Sequence, residues 1–331
     1  MLTFRDRLLY FVYLHRTGLT VLGLSAALVI WPLVQSNPYN LGLSNLIALF
    51  TMVVLGLNLF IGYAGQISLG HAAFFALGAY GSALGTATLG LPAWPVMGAV
   101  ALSVAIVALA IGLPALNLSG HYLAMATLGF NIVVYTILVQ WDSITGGPSG
   151  FAGIPFLSIG PLVFDSEIRF HYLVWTFAML CLLLSLNLVR SGAGRGLAAL
   201  AEDEVAAAAL GVDTRRAKVK VFVLSAVFAS IAGSLFAHCY AFVSPDSFNI
   251  FVSVDLVILV VLGGMGSIWG TLFGTALITL LPEWIEALDA CKEVVYGLIL
   301  VLILLFLPKG LVTGVNDAVH TWWALRTKRH A

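Results

Sequence analysis

Apolar residues fill most of this chain in stretches of about twenty, the length an α-helix needs to cross a ~30 Å hydrocarbon layer, with short polar breaks between them. This pattern predicts helices over 19–35, 42–61, 71–89, 94–113, 121–141, 171–189, 219–242, 254–266, 269–281 and 293–307. The eighth and ninth are short and flank Gly263, Gly264, Met265, Gly266 and Ser267. Half-length segments around glycines are the signature of broken or re-entrant helices, whose irregular backbone survives in a membrane only where protein or a cavity surrounds it. The fold class expected is an all-α polytopic membrane protein with about 8–10 transmembrane helices, re-entrant or broken ones included.

Composition sharpens this picture. Hydrophobic residues make up 61% of the chain and charged residues 9%, against about 25% charged in an ordinary soluble domain, so most of the surface has to face lipid. The first apolar run, Leu19 to Val34, follows Arg5, Arg7, His15 and Arg16 but ends without a small-x-small cleavage pattern, which reads as a retained first helix. Cys181, Cys239 and Cys291 lie far apart and have no metal-ligand spacing, so no metal site is expected.

Charge sets an expected orientation. Of the 15 basic residues, three Arg precede the first helix, six lie between Arg190 and Lys220, and four follow Leu307; these regions should be cytoplasmic. The segments Asp142–Phe170 and Pro282–Glu293 are acidic and fit the other side. The expected organisation is a cytoplasmic N-terminus at 1–18, a single transmembrane domain at 19–310 with a cytoplasmic loop at 190–220, and a cytoplasmic tail at 311–331.

Within the loop, Gly196–Leu210 is rich in Ala and Leu around Glu202, Asp203 and Glu204, which predicts one short amphipathic helix. Gly211 stands where a C′ glycine would stop it, and Asp213 or Thr214 can cap the next helix. Its acidic centre suits a protein partner better than an anionic lipid surface. Polar residues inside apolar spans are costly and mark pathways more often than chance, which singles out Asn58, Gln66, Ser68, His71 and Asn131 as candidates for lining a solute path or for bonding between helices. Asp255, the one acid well inside a predicted span, reads as a helix cap at Ser253 or Asp255 or as a functional group. Gly263, Gly264 and Gly266 are the candidate hinge of the broken helix. Glycine-rich breaks at Gly62–Gly70 and Gly263–Gly270, one in each half, hint at an internal repeat. None of the five Lys residues follows a Gly, so no phosphate-binding P-loop is present.

The pattern Glu204, Ala207, Gly211 resembles the coupling motif of ATP-binding cassette (ABC) importer permeases. Three longer stretches, GLNLFIGYAGQISLGHAAFF at Gly56–Phe75, TGGPSG at Thr145–Gly150 and VLGGMGS at Val261–Ser267, resemble the LivM-type permease of branched-chain amino acid importers. Phe222–Ala226 and Ala232-Gly233 fit as well, so the resemblance spans roughly residues 45 to 310. Leu116–Ala124 departs from the more basic stretch that many relatives carry. The resemblance implies an ABC importer permease fold in the bacterial inner membrane. It also implies a coupling helix carrying Glu204, Ala207, Ala208 and Gly211, and partners in a LivH-like second permease, two ATPase subunits and a periplasmic binding protein. This chain would be no enzyme and bind no cofactor, ATP and Mg belonging to the partner subunits. The expected solute is leucine, isoleucine or valine; urea, short amides or aromatic acids are alternatives within the family, and an ion-coupled secondary transporter is the alternative outside it.

Overall fold

The computed structural model describes residues 16–35, 37–118 and 120–284, with 297, 298, 301 and 305. The expected helix at 293–307, the tail at 311–331 and Cys291 therefore lie outside the described residues or almost wholly so.

Helix α1 (Arg16–Val34) leads to α2 (Pro38–Ile61), which starts sharply because the Asn37 side chain accepts from the Tyr39 amide and Pro38 occupies the first turn. Helix α3 (His71–Ala83) runs on into a π-helical turn, Leu84–Thr88, and is followed by α4 (Ala93–Ala115) and α5 (His121–Gln140). The acidic segment expected as loop carries a four-residue helix, α6 (Asp142–Thr145), and three two-residue strands: β1 (Phe151–Ala152), β2 (Ser158–Ile159) and β3 (Leu162–Val163). Helix α7 (Glu167–Arg190), capped by Ser166, precedes α8 (Gly192–Glu202), α9 (Glu204–Ala209) and α10 (Thr214–Tyr240). After β4 (Phe242–Val243) come α11 (Ile250–Gly264) and α12 (Ile268–Trp284). Strand β4 pairs antiparallel with β1 and β2 with β3, so the β content only fastens loops.

By length and hydropathy, six helices among the described residues can cross a bilayer, and α1 and α12 supply shorter apolar segments. Helix α2 has 83% of its most apolar window buried, against 28% for α4 and for α5. It is therefore the axis of the bundle, and α4 and α5 lie outside it. Around that axis pack α7, α10, α11 and α12, and α10 also packs along α3 and α4.

Because lipid is as apolar as leucine, tight association needs small residues that let backbones meet. An added Cβ would lie 2.2 Å from the Ser230 carbonyl oxygen at Gly78 and 2.0 Å from the Phe75 carbonyl oxygen at Gly233, so α3 and α10 touch backbone to backbone. Helix α11 is not the half-length segment expected, because with the turn before it the chain forms a 20-residue apolar span, Pro245–Gly264. It packs closely on the shorter α12, where a Cβ on Gly274 would lie 2.2 Å from the Gly263 Cα.

Three other expectations need correcting. The helix expected over Gly196–Leu210 is two, because Asp203 adopts an extended backbone and its Oδ1 accepts from the amides of Val205 and Ala206, starting a new helix. Asp255 and Ser253 are not caps; Asn249 caps α11 by accepting from Phe251 and Val252. The basic run Arg215–Lys220 does not precede a helix at 219 but forms the opening turns of α10.

Candidate functional site

The two glycine-rich breaks meet at Asn58, near the end of α2. Its amide nitrogen donates to the Ser267 carbonyl at 3.1 Å and to the Thr271 hydroxyl at 2.5 Å, and its Oδ1 accepts from the Gly266 amide at 3.0 Å. A Cβ on Gly62 would fall 2.1 Å from that Oδ1, so a side chain there would displace the clamp. Gly264 at φ +116° and Gly266 at φ +74° turn the chain between α11 and α12 in a region that favours glycine. Asn58 is fully buried, and in this chain it joins segments with all its reach.

Beyond the first break, His71 opens α3. Its Nδ1 lies 3.1 Å from the Ser68 hydroxyl and its Nε2 2.9 Å from the Ser225 hydroxyl, inside a ring of Phe60, Phe74 and Phe222. Ser225 already donates to the Phe222 carbonyl, so it accepts from Nε2–H and Nδ1 accepts from Ser68. The neutral ring satisfies both contacts. The break's own amides find partners on other helices: Leu69 donates to Thr127 Oγ1 at 3.0 Å and Ala72 to Ser253 Oγ at 3.2 Å. This is how an irregular segment survives inside a bundle.

Of the other path candidates, Gln66 is half-buried and donates to the Ala64 carbonyl. Asn131 is buried on α5, and neither polar atom of its amide has a partner among the described residues. The structure thus brings Asn58, Ser68 and His71 to the two breaks, with Asn131 a turn beyond Thr127. Asp255 is exposed on α11 beside a cavity of about 200 Å³ lined by Phe50, Leu256, Leu259 and Ile278.

The loop at 190–220 forms an elbow. Helix α9 ends in a Schellman turn: Gly211 at φ +88° donates to the Ala208 carbonyl and Val212 to that of Ala207. Glu204 accepts from Lys218 Nζ at 2.5 and 2.6 Å, and Lys218 keeps only 5% side-chain exposure while Glu204 keeps 44%. Glu204 and Ala207 thus face inward, whereas Ala208 faces out with Val205 (79% exposed) and Leu210 (82%). The end of α8 reaches the first glycine break, where a Cβ on Gly65 would come within 3.1 Å of the Ala201 Cα.

Sequence reasoning missed Lys218 as a partner, counting it only as a topological charge. It also missed Thr127, Ser225 and Thr271, hydroxyls in apolar spans whose polarity was the available signal. A further buried link was not anticipated: His238 Nδ1 donates to the Pro155 carbonyl at 2.7 Å, and its Nε2 accepts from Ser82 at 2.8 Å.

A bundle of apolar helices with buried polar breaks, and a charged elbow at one end, defines a multi-pass membrane protein of permease type. Residues 39–307 match the family described as branched-chain amino acid transport system / permease component, and the chain belongs to that family. It is 34% identical over 320 residues to the high-affinity branched-chain amino acid transport system permease protein LivM of Escherichia coli (strain K12), covering 89% of this chain and 74% of that one. It is 26% identical over 289 residues to the LivH permease protein of Salmonella typhimurium, covering 80% of this chain and 91% of that one. A shorter match, 31% over 121 residues, covers 34% of this chain and 36% of the probable ABC transporter permease protein YphD of Escherichia coli. No solved structure matches significantly.

Proposed function

We propose that this chain is one of two membrane subunits of an ABC importer in the bacterial inner membrane and carries branched-chain amino acids inward. The second permease is LivH-like, two further subunits bind ATP and Mg, and a periplasmic protein delivers the solute. The basic segments, including 190–220 and both termini, face the cytoplasm, where the positive-inside rule puts them.

The observation that carries this reading is the elbow. Two large apolar side chains, Val205 and Leu210, stand exposed at its tip, while Glu204 ties it to α10 and Ala201 rests on the break that leads to Asn58 and His71. A partner gripping the tip would act on a stiff lever whose other end is the core of the bundle. An apolar, nearly uncharged interior suits a zwitterionic, apolar solute. Asp255 supports the pairing of two permeases: an ionised side chain mid-span costs ~2.5–3.5 kcal/mol against lipid, so such groups face a bundle interior or water.

The test is co-purification from the native membrane with labelled leucine uptake, using Val205→Glu/Leu210→Glu. ATPase subunits should come with the wild type and be lost from the variant along with uptake. A chain that purifies alone and moves leucine down a proton or sodium gradient would sink the reading; uptake of urea or an aromatic acid in place of leucine would change only the solute.

A further inference from the structure

Between the end of α7, the outer side of α8 and the first three turns of α10 lies a cavity of about 450 Å³. Its lining is graded along α10. Arg216 and Lys220 are one turn apart at its open end, while Val221 and Leu224 continue the same face inward, joined by Leu188 and Leu197 from the other walls. From Arg216 to Leu224 the helix rises about 12 Å, at ~1.5 Å per residue. On α8, Gly192, Ala193 and Gly196 leave the floor open, and a Cβ on Gly196 would still clear Val212 at 3.6 Å.

The charges at the mouth are unequal. Asp213 pairs with Arg216 Nε at 3.1 Å and accepts from its backbone amide, while Lys220 is exposed with no ion pair among the described residues. Arg215 stands beside them, exposed. The net charge at the mouth is positive, and it lies where α10 passes from charged to apolar sequence. Such a gradient matches a lipid read from phosphate to acyl chain, and basic pockets between transmembrane helices bind anionic headgroups.

We propose that this groove binds a phospholipid with an anionic headgroup, the phosphate against Arg216 and Lys220 and an acyl chain along Leu188, Leu197, Val221 and Leu224. The lipid fills the gap between the elbow and α10 and so makes the stiffness of that joint depend on the membrane. This assignment needs only the membrane location of the chain and stands apart from the solute and the ATPase.

The test is native mass spectrometry of the full chain after reconstitution with phosphatidylglycerol or phosphatidylcholine and mild extraction. Wild type should retain one phosphatidylglycerol and exchange phosphatidylcholine freely. At roughly fivefold per basic side chain, Arg216→Gln/Lys220→Gln should weaken retention about twenty-five-fold. Gly196→Leu keeps the charges but fills the floor, and should abolish retention with an unchanged melting midpoint. It decides the matter if the double variant misfolds. Equal retention of the two lipids, or unaltered phosphatidylglycerol binding in the Gly196 variant, overturns the proposal. So does a variant that loses a protein partner while its bound lipid is unchanged.

Discussion

The pair formed by Glu204 and Lys218 should respond asymmetrically to mutation, because its members are buried unequally. Glu204→Gln leaves an ammonium group with 5% exposure without its counter-charge, whereas Lys218→Met leaves a carboxylate that keeps 44% of its surface in contact with solvent. Removing one partner of a fully enclosed pair costs ~3–5 kcal/mol, and replacing both by apolar groups of similar volume is often neutral or better. Glu204's exposure lowers the first figure, so Glu204→Gln should destabilise by roughly 2–3 kcal/mol and Lys218→Met by about 1 kcal/mol or less. Glu204→Gln/Lys218→Met should then lie near Lys218→Met alone, a coupling of about 2 kcal/mol recovered in the double-mutant cycle. Chemical unfolding of the purified chain in micelles, followed by circular dichroism, measures all three. If Lys218→Met costs as much as Glu204→Gln, or the double variant costs the sum of the singles, the buried ammonium does not govern the elbow and the argument fails.

Gly233→Val and Gly78→Val should each abolish recovery of monodisperse protein on size-exclusion chromatography, because backbone atoms occupy the new side chain's place; Gly98→Ala, which meets nothing within 4 Å, should elute as wild type. Gly211→Ala should cost about 1–2 kcal/mol purely from its left-handed backbone, since no atom crowds the site, and Gly211→Asn should cost less; melting curves of the pair separate conformation from contact. Asp255→Cys should react with a membrane-impermeant maleimide in the assembled transporter, and protection equal to that of a lipid-facing cysteine at Leu102 would refute a wet environment there. A protease site placed after Arg329 should be cut from the cytoplasm and not from outside the cell.

Much of this architecture could be read from hydropathy. The long helices fall where their apolar runs do, and Gly263–Ser267 turns the chain between α11 and α12, but the apolar run 254–266 conceals the start of α11, whose span reaches back to Pro245. The elbow was less legible: a run of Ala and Leu favours one continuous helix, and only the extended backbone of Asp203 with its double cap divides it. The polar residues stand out in their apolar spans, but polarity gives no direction. Nothing in the sequence near Asn58 says that its partners are Gly266, Ser267 and Thr271, more than 200 residues away, or that Thr127 and Ser253 cap the other break. Lys218 was disguised by its neighbours, since a basic run reads as a topology signal and conceals the one member that turns inward.

The reach of Asn58 also matters to biogenesis. Its partners follow it by 208 to 213 residues, so at ~5–20 residues per second the ribosome needs roughly 10–40 s to deliver them. Throughout that interval α2 has a carboxamide that cannot find its native partners, and a chain released before Thr271 never completes the clamp. Truncated chains ending at 260 should therefore be cleared faster by membrane proteases than the same chains carrying Asn58→Leu, while in the full-length protein that substitution should shorten the lifetime. The residue that fastens the finished bundle is thus also a mark by which the cell can recognise an unfinished one.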